Sequence, residues 1–307
     1  MTKKKKVIIS VSLIVIFIST ILFSLAYRYL IEREETPLSA NNTIITTEQE
    51  SNSNNSEATY DDWSYKRSDL EIKIEKVESG SRNDKITYFV ADVQIKDTSN
   101  LYSAFAKNKF GRNIVETTSS MANDNNAIFA INGDYYGFRE DGILIRNGVT
   151  YRDTATRDGL AFYDDGTMKT YDETSTSEDD LISSGVLDTF SFGPTLVENS
   201  QAITNFDSVK IDKNMGNSSI QNSNPRTGVG MISPNHYVFV VVDGRKEGYS
   251  KGMTLNEFAQ VFEELGCQAA YNLDGGGSST MYFMGRVVNN PLGKSEEREV
   301  SDILYFK

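Results

Sequence analysis

The stretch YVFVVVDGRKEGYSKGMTLNEFAQVFEELGCQAAYNLDGGG, residues 237–277, decides the fold. Its first eight residues form an apolar run ending in Asp-Gly, the pattern of a strand buried on both faces. Residues 254–266 read as an amphipathic helix. Phe258, Val261, Phe262 and Leu265 recur at spacings of three and four, Thr254 and Glu257 make a capping box, and Gly266 supplies the stop. Residues 269–275 are the next strand. Strand, helix, strand is a βαβ unit, which makes the two strands parallel if they share a sheet. Parallel strands finish at one edge, so Asp243-Gly244 and Asp274-Gly275 are expected to emerge side by side, where α/β sheets place their ligands.

Upstream, LEIKIEKV (70–77) and ITYFVADVQI (86–95) alternate as strands do, and AIFAI (127–131) is short and wholly apolar. Asn147-Gly148 and Asp165-Gly166 each sit between strand-like arms, the signature of hairpins. Residues 173–184 and 199–224 are polar and read as loops. The expectation is an α+β fold: a mixed sheet with hairpins and a C-terminal βαβ unit. If strand 127–131 ends at the same cleft, Asn132 and Asp134 join the two aspartates.

The N-terminus is of a different kind. Four lysines, Lys3–Lys6, precede 21 uncharged residues, Val7–Tyr27. At about 1.5 Å per residue that run spans a bilayer, and the lysines favour the cytoplasmic side. The expected organisation is a basic cytoplasmic tail (1–6), a transmembrane anchor (7–27), a disordered extracellular stalk (28–60, rich in Ser, Thr, Asn and Glu) and a folded domain (61–307). The protein would be a single-pass cell-membrane protein with its C-terminal domain outside. Ser24-Leu25-Ala26 is a passable cleavage site, which would make it secreted instead.

The single cysteine, Cys267, allows no intrachain disulfide and reads as a small buried residue. Net charge is −12; beyond residue 31 the chain carries 26 basic residues against 43 acidic, which excludes nucleic acid as a partner. One histidine, His236 in a turn, leaves no Cys/His zinc site, and there is no G-x-S-x-G elbow. No glycine-rich nucleotide-binding motif is present, so no nucleotide cofactor is expected.

Carboxylates, amides, hydroxyls and arginine remain. Gly275, Gly276 and Gly277 can turn successive N–H groups toward an anion, and Ser278, Ser279 and Thr280 add hydroxyls. Arg226, in NPRTGVG (224–230), offers a planar fork for phosphate or carboxylate. Three carboxylates with an anion cradle are what cleavage of a glycosyl phosphate requires, the departing phosphate needing charge stabilisation more than a strong acid.

AINGDYYG, NPRTGVG, VVVDGR and NLDGGGSSTM, in this order, resemble the phosphodiester glycosidase family over about residues 100–307. The resemblance implies an α+β hydrolase that cleaves a sugar 1-phosphate diester at the glycosidic bond; bacterial members are labelled exopolysaccharide biosynthesis proteins. Carried over by motif, it implies Asp134, Asp243 and Asp274 for catalysis and Asn132, Arg226, Thr227 and residues 275–280 for substrate. Arg226 and the glycine loop would hold the phosphate. One of Asp243 and Asp274 would activate water or attack the anomeric carbon, the other would position sugar hydroxyls or a cation, and Asp134 would complete either pair. No cofactor is required; Ca²⁺ or Mg²⁺ on the three aspartates is compatible with oxygen ligation. The expected partners are a phosphate-containing glycan of the cell envelope and the membrane.

Two other classes fit the residues. One is a phosphodiesterase or transferase acting at P–O on teichoic-acid-like wall polymers. The other is a non-catalytic phosphoglycan-binding module, against which the three carboxylates speak, since they would repel the anion.

Overall fold

A computed structural model describes residues 3–38, 58–209, 211 and 220–307. The fold is α+β and consists mostly of strands in several sheets, preceded by one apolar helix. That helix, Lys3–Tyr29, contains a segment, 8–29, long and apolar enough to cross a membrane and buries none of it in the rest of the chain. It suits an anchor or a signal sequence equally.

Nine strands make the larger sheet, in the order Gln201–Ala202, Thr195–Glu198, Ala269–Leu273, Arg226–Ser233, His236–Val242, Ile86–Ile95, Leu70–Ser79, Ser64–Arg67, Thr59–Tyr60. Between the two outer strands of the 237–277 unit lies Arg226–Ser233, antiparallel to both. The unit's strands therefore run in the same direction, as expected, but as second neighbours. Asp243 and Asp274 do leave the sheet at one edge, on either side of Arg226, whose strand begins there.

A five-stranded sheet, ordered Arg286–Val287, Met281–Phe283, Phe129–Asn132, Asp302–Phe306, Leu101–Phe105, packs face to face on the first. Phe239 of the large sheet meets Phe129 and Phe306 of the small one, with ring centroids 5.3 and 5.4 Å apart. This interface is the main core, and it brings the C-terminal end of Phe129–Asn132 to the edge where Asp274 emerges.

Helix Leu255–Glu264 covers the opposite face, with the expected Thr254–Glu257 capping box. It sits close because positions 228 and 230 are bare. A Cβ on Gly228 would lie 2.8 Å from the Phe258 ring, and one on Gly230 2.6 Å from Cys267 Sγ. The glycines of RTGVG are thus seats for the helix, and Cys267 is buried beneath it.

The hairpin Gly142–Arg146/Val149–Thr154 turns through Asn147 and Gly148, both at positive φ. Asp158–Tyr163 pairs with Met168–Asp172 around Gly166 and with Val186–Phe190. Residues 173–184 are not all loop. Ser177 caps a short helix, Glu178–Ser183, whose first turn carries three acids that suit its positive end, with Leu181 buried. Gln201–Ala202 is a strand within 199–224, of which 210 and 212–219 lie outside the described residues. Most of the expected stalk, 39–57, also lies outside them. Its beginning does not behave as a stalk: Arg33–Glu34 pairs with Gly111–Arg112 on the domain.

Candidate active site

Asn132 is the pivot of the site. Wholly buried, its Nδ2 donates to Asp274 O (2.7 Å) and its Oδ1 accepts from Thr227 Oγ1 (2.8 Å) and Thr280 N (3.2 Å). One carboxamide thus joins the large sheet's edge to the small sheet's end. Asn132 and Thr227 are spent on this junction.

Beyond Asn132 the chain turns through Gly133, whose missing Cβ would lie 2.3 Å from Asp302 Oδ1, and presents Asp134. The Asp134 carboxylate accepts from Tyr136 N (2.8 Å) and Ser191 N (2.9 Å). Behind it, buried Arg146 lies 3.9 Å from Asp134 Oδ2 and 2.5 Å from Asp302 Oδ2. Burial, then the charge of Asp134, push the Asp302 carboxyl up to about 8 against the pull of Arg146.

Asp274 Oδ2 accepts from Ser278 Oγ (2.5 Å) and Arg298 Nη2 (3.1 Å), and Arg298 also bonds Ser278 Oγ. Burial holds the Asp274 carboxyl above the ordinary carboxylate range, with Arg298, Ser278 and Arg139 opposing. Asp134, Asp274, Ser278, Arg298 and Glu299 line one cavity of about 340 Å³, together with Val115, Tyr135, Phe138, Val300 and Ser301. That volume suits a small-molecule group. Arg139, buried between the rings of Tyr135 and Phe192, adds positive charge that acts on both aspartates and has an unbonded buried Nε.

The other expected site residues are elsewhere. Asp243 accepts from Tyr249 Oη (2.7 Å), Asn289 Nδ2 (2.9 Å) and Asn290 N (3.0 Å), and does not line the cavity; burial raises its pKa against these bonds. It anchors the 289–290 loop to the sheet edge. Arg226 is buried, its guanidinium donating to the carbonyls of Met253 (3.0 Å), Ile220 (2.7 Å) and Asn222 (2.8 Å), so its fork is already filled by main chain.

Part of the glycine loop is engaged by main chain. Gly276 N donates to Pro225 O, Ser278 N to Gly275 O and Ser279 N to Gly276 O. Its bareness serves close passage: a Cβ would lie 2.8 Å from Pro225 O at Gly275, 3.1 Å from Arg245 at Gly276, and 3.1 Å from Leu292 at Gly277. Ser279 and Thr280 keep buried hydroxyls without a hydrogen-bond partner and do not line the cavity.

Among the described residues no three acidic, His or Cys side chains are placed to share a metal ion. Asp243 stands in a separate hydrogen-bond system, so the three aspartates do not form one oxygen cage. His236 pairs with Asp92 at 3.1 Å at a strand start, apart from the cavity.

An α+β domain of several sheets, with two aspartates and an arginine lining one cavity, is the architecture by which its class is recognised. Residues 125–307, more than half of the chain, match the phosphodiester glycosidase family, and the chain belongs to it. A prophage-derived protein of Bacillus subtilis strain 168, YomE, is 35% identical over 204 residues, covering 64% of this chain and 30% of that protein; the chain thus spans about a third of its relative's length. The catalytic domain of zebrafish N-acetylglucosamine-1-phosphodiester alpha-N-acetylglucosaminidase, auto-inhibited by its pro-peptide, is similar in fold. Its TM-score is 0.60 at 20% identity, over 77% of this chain and 83% of that one. A hypothetical protein from Synechocystis matches with a TM-score of 0.55 at 14% identity, over 76% and 61%.

Sequence reading missed Arg298, Arg139 and the Arg146–Asp302 pair. Arg298 stands among Glu296, Glu297 and Glu299, and such a charge run reads as a solvated face. No local signal marks it, since what brings it to the cavity is the long-range pairing of the following strand with Phe129–Asn132.

Proposed function

We propose that this chain hydrolyses a sugar 1-phosphate diester at its glycosidic bond, with the phosphate held by Arg298, Ser278 and the positive field of Arg139. The observation that carries the reading is that Asp134 and Asp274 face one cavity in which Arg298 is already fixed to Asp274 and Ser278. Asp274, with its raised pKa, is the proton-handling carboxyl; Asp134, oriented by two main-chain amides, is the second carboxylate. Water bonds to the anomeric carbon and passes one proton through the carboxylates to the departing phosphate, the C–O bond to phosphate breaks with its electron pair leaving on the phosphate, and a free sugar and a phosphomonoester result. The acceptable glycans include those of the cell envelope, on the outer side of the membrane.

The test is turnover of an N-acetylglucosamine 1-phosphate methyl diester in isotopically labelled water, with and without EDTA. Label in the sugar supports glycosidic cleavage; label in the phosphate transfers the reading to P–O chemistry. Loss of turnover in EDTA, restored by Ca²⁺ or Mg²⁺, would add a cation to the site. A folded chain that binds the diester without turnover would be a binding module.

A further inference from the structure

The end of the apolar helix is fixed on the domain rather than tethered to it. Asn113 Nδ2 donates to Arg28 O (3.1 Å) and Ile31 O (2.9 Å), capping carbonyls at the end of the helix. Four residues after Tyr29, Arg33–Glu34 pairs antiparallel with Gly111–Arg112, and Glu35 N donates to Phe110 O (2.9 Å). Position 111 is bare where the strap crosses: a Cβ there would lie 2.0 Å from Arg33 O. Lys107–Glu32 and Lys109–Glu34 add surface ion pairs of small weight.

The same residues touch the cavity wall. Arg112 Nε donates to Gly137 O (3.2 Å), and a Cβ on Gly137 would lie 2.3 Å from Ser301 Oγ. Phe138 and Ser301 line the cavity, as does Val115, two residues beyond Asn113. The chain from the cap of the helix to the cavity is therefore at most about 7 Å long. At its outer end the helix carries exposed Tyr27 and Tyr29, with Arg33 stacked 4.2 Å over the Tyr27 ring, side chains suited to the headgroup layer. A helix over 8–29 is about 33 Å long, the thickness of a hydrocarbon core, so the strap and the cavity beside it stand at headgroup level.

We propose that the site takes its substrate from the membrane surface: a glycosyl phosphodiester whose second ester is to a lipid alcohol in the same bilayer. A lipid phosphate lies at the height where this cavity is held, and the apolar wall of Val115, Tyr135, Phe138 and Val300 suits the first carbons of such an alcohol. Hydrolysis follows the balance given above, leaving free sugar and the lipid monophosphate. The inference rests on glycosidic cleavage at this site and on a retained helix.

The full chain would be reconstituted in phosphatidylcholine–phosphatidylglycerol vesicles containing a prenyl N-acetylglucosaminyl phosphate, beside a variant with a Gly-Ser insertion of about 20 residues between Leu30 and Ile31. Such an insertion gives the domain about 25 Å of free reach. Native chain should cleave the prenyl diester at least about tenfold faster than the insertion variant, because docking fixes the site at its substrate. Both should cleave the methyl diester equally. Equal prenyl rates with methyl turnover intact would overturn this inference alone; no turnover of either diester would overturn the reading of the site as well. A nitroxide on Lys109→Cys, with Cys267 buried, gives a readout without activity. Relaxation by a nickel-chelating lipid should be stronger in the native chain than in the insertion variant, and equal relaxation would overturn the docking. Recovery from cells of a chain cleaved after Ala26 would also overturn it.

Discussion

Two arginines divide the labour that sequence motifs assign to one. Arg226 is buried on three carbonyls, whereas the Arg298 side chain is 46% exposed and turned to Asp274. Arg226→Ala should lower stability by about 3 kcal/mol, seen as a shifted urea midpoint, because three buried carbonyls lose a charged donor. Arg298→Ala should leave the midpoint within about 1 kcal/mol yet lower kcat/KM by about 10²–10³-fold on the methyl diester. The reverse pattern would return the phosphate to Arg226. Asp302 gives a pH signature. Its carboxyl titrates at 3.8 when unperturbed and is pushed up to about 8 in the fold, so its contribution to stability is full below about 4 and is lost as pH rises through 8. Between pH 5 and 9 the native chain should lose more stability than Asp302→Asn; parallel urea-midpoint profiles would show that this carboxyl does not titrate there. None of this was legible from residue types. An aspartate before a glycine looks the same whether it faces a cavity, as Asp274 does, or ties down a loop, as Asp243 does, because the difference lies in tertiary partners such as Arg298 for the one and Asn289 and Asn290 for the other.

At the scale of elements, the strand–helix–strand unit was readable to within two residues at each end. Hydrophobic spacing and the Thr254–Glu257 box are local signals, and the helix they define is the one observed. The strand inserted between its two flanks was not readable, since pairing of Arg226–Ser233 with both is a long-range choice. The glycines of RTGVG show the same limit. The motif draws attention to Arg226 and leaves its glycines unexplained, and the structure uses them to seat Phe258, Phe262 and Cys267. Gly230→Ala should therefore cost about 1–3 kcal/mol by overpacking, measured by urea denaturation, with part of the loss recovered in the Gly230→Ala, Cys267→Ala double variant. A loss that the second substitution does not relieve would point to the Phe262 contact instead.

For the whole molecule, the membrane-compatible helix follows from its length and apolar composition. The strap at Arg33–Glu34 was hidden because its residues are charged and its strand is two residues long, too short for any alternation to show. A chain of residues 58–307 should fold, since both sheets lie within it, but with a Tm lower by about 2–6 °C for want of the strap. The amide of Arg112, opposite Arg33 in the strap, should exchange faster with solvent; unchanged exchange would show that the strap does not hold in solution.

The carboxamide of Asn132 has a further consequence, for how the molecule ages. Asn132-Gly133 and Asn147-Gly148 are both Asn-Gly pairs, the sequence most prone to deamidate, because the next amide nitrogen can attack the side-chain carbonyl with little steric hindrance. Asn147 is exposed in its hairpin turn, whereas Asn132 is buried, with its oxygen engaged by Thr227 and Thr280 and with Gly133 N donating to Asp302 O. Chemical wear should therefore mark the hairpin first and spare the pivot for as long as the fold is closed. Each excursion that opens the two sheets lets the pivot become an aspartate, which would set a carboxylate oxygen against the carbonyls of Asp274 and Gly133. Unfolding at this junction would then be a ratchet, turning a reversible equilibrium into a lifetime.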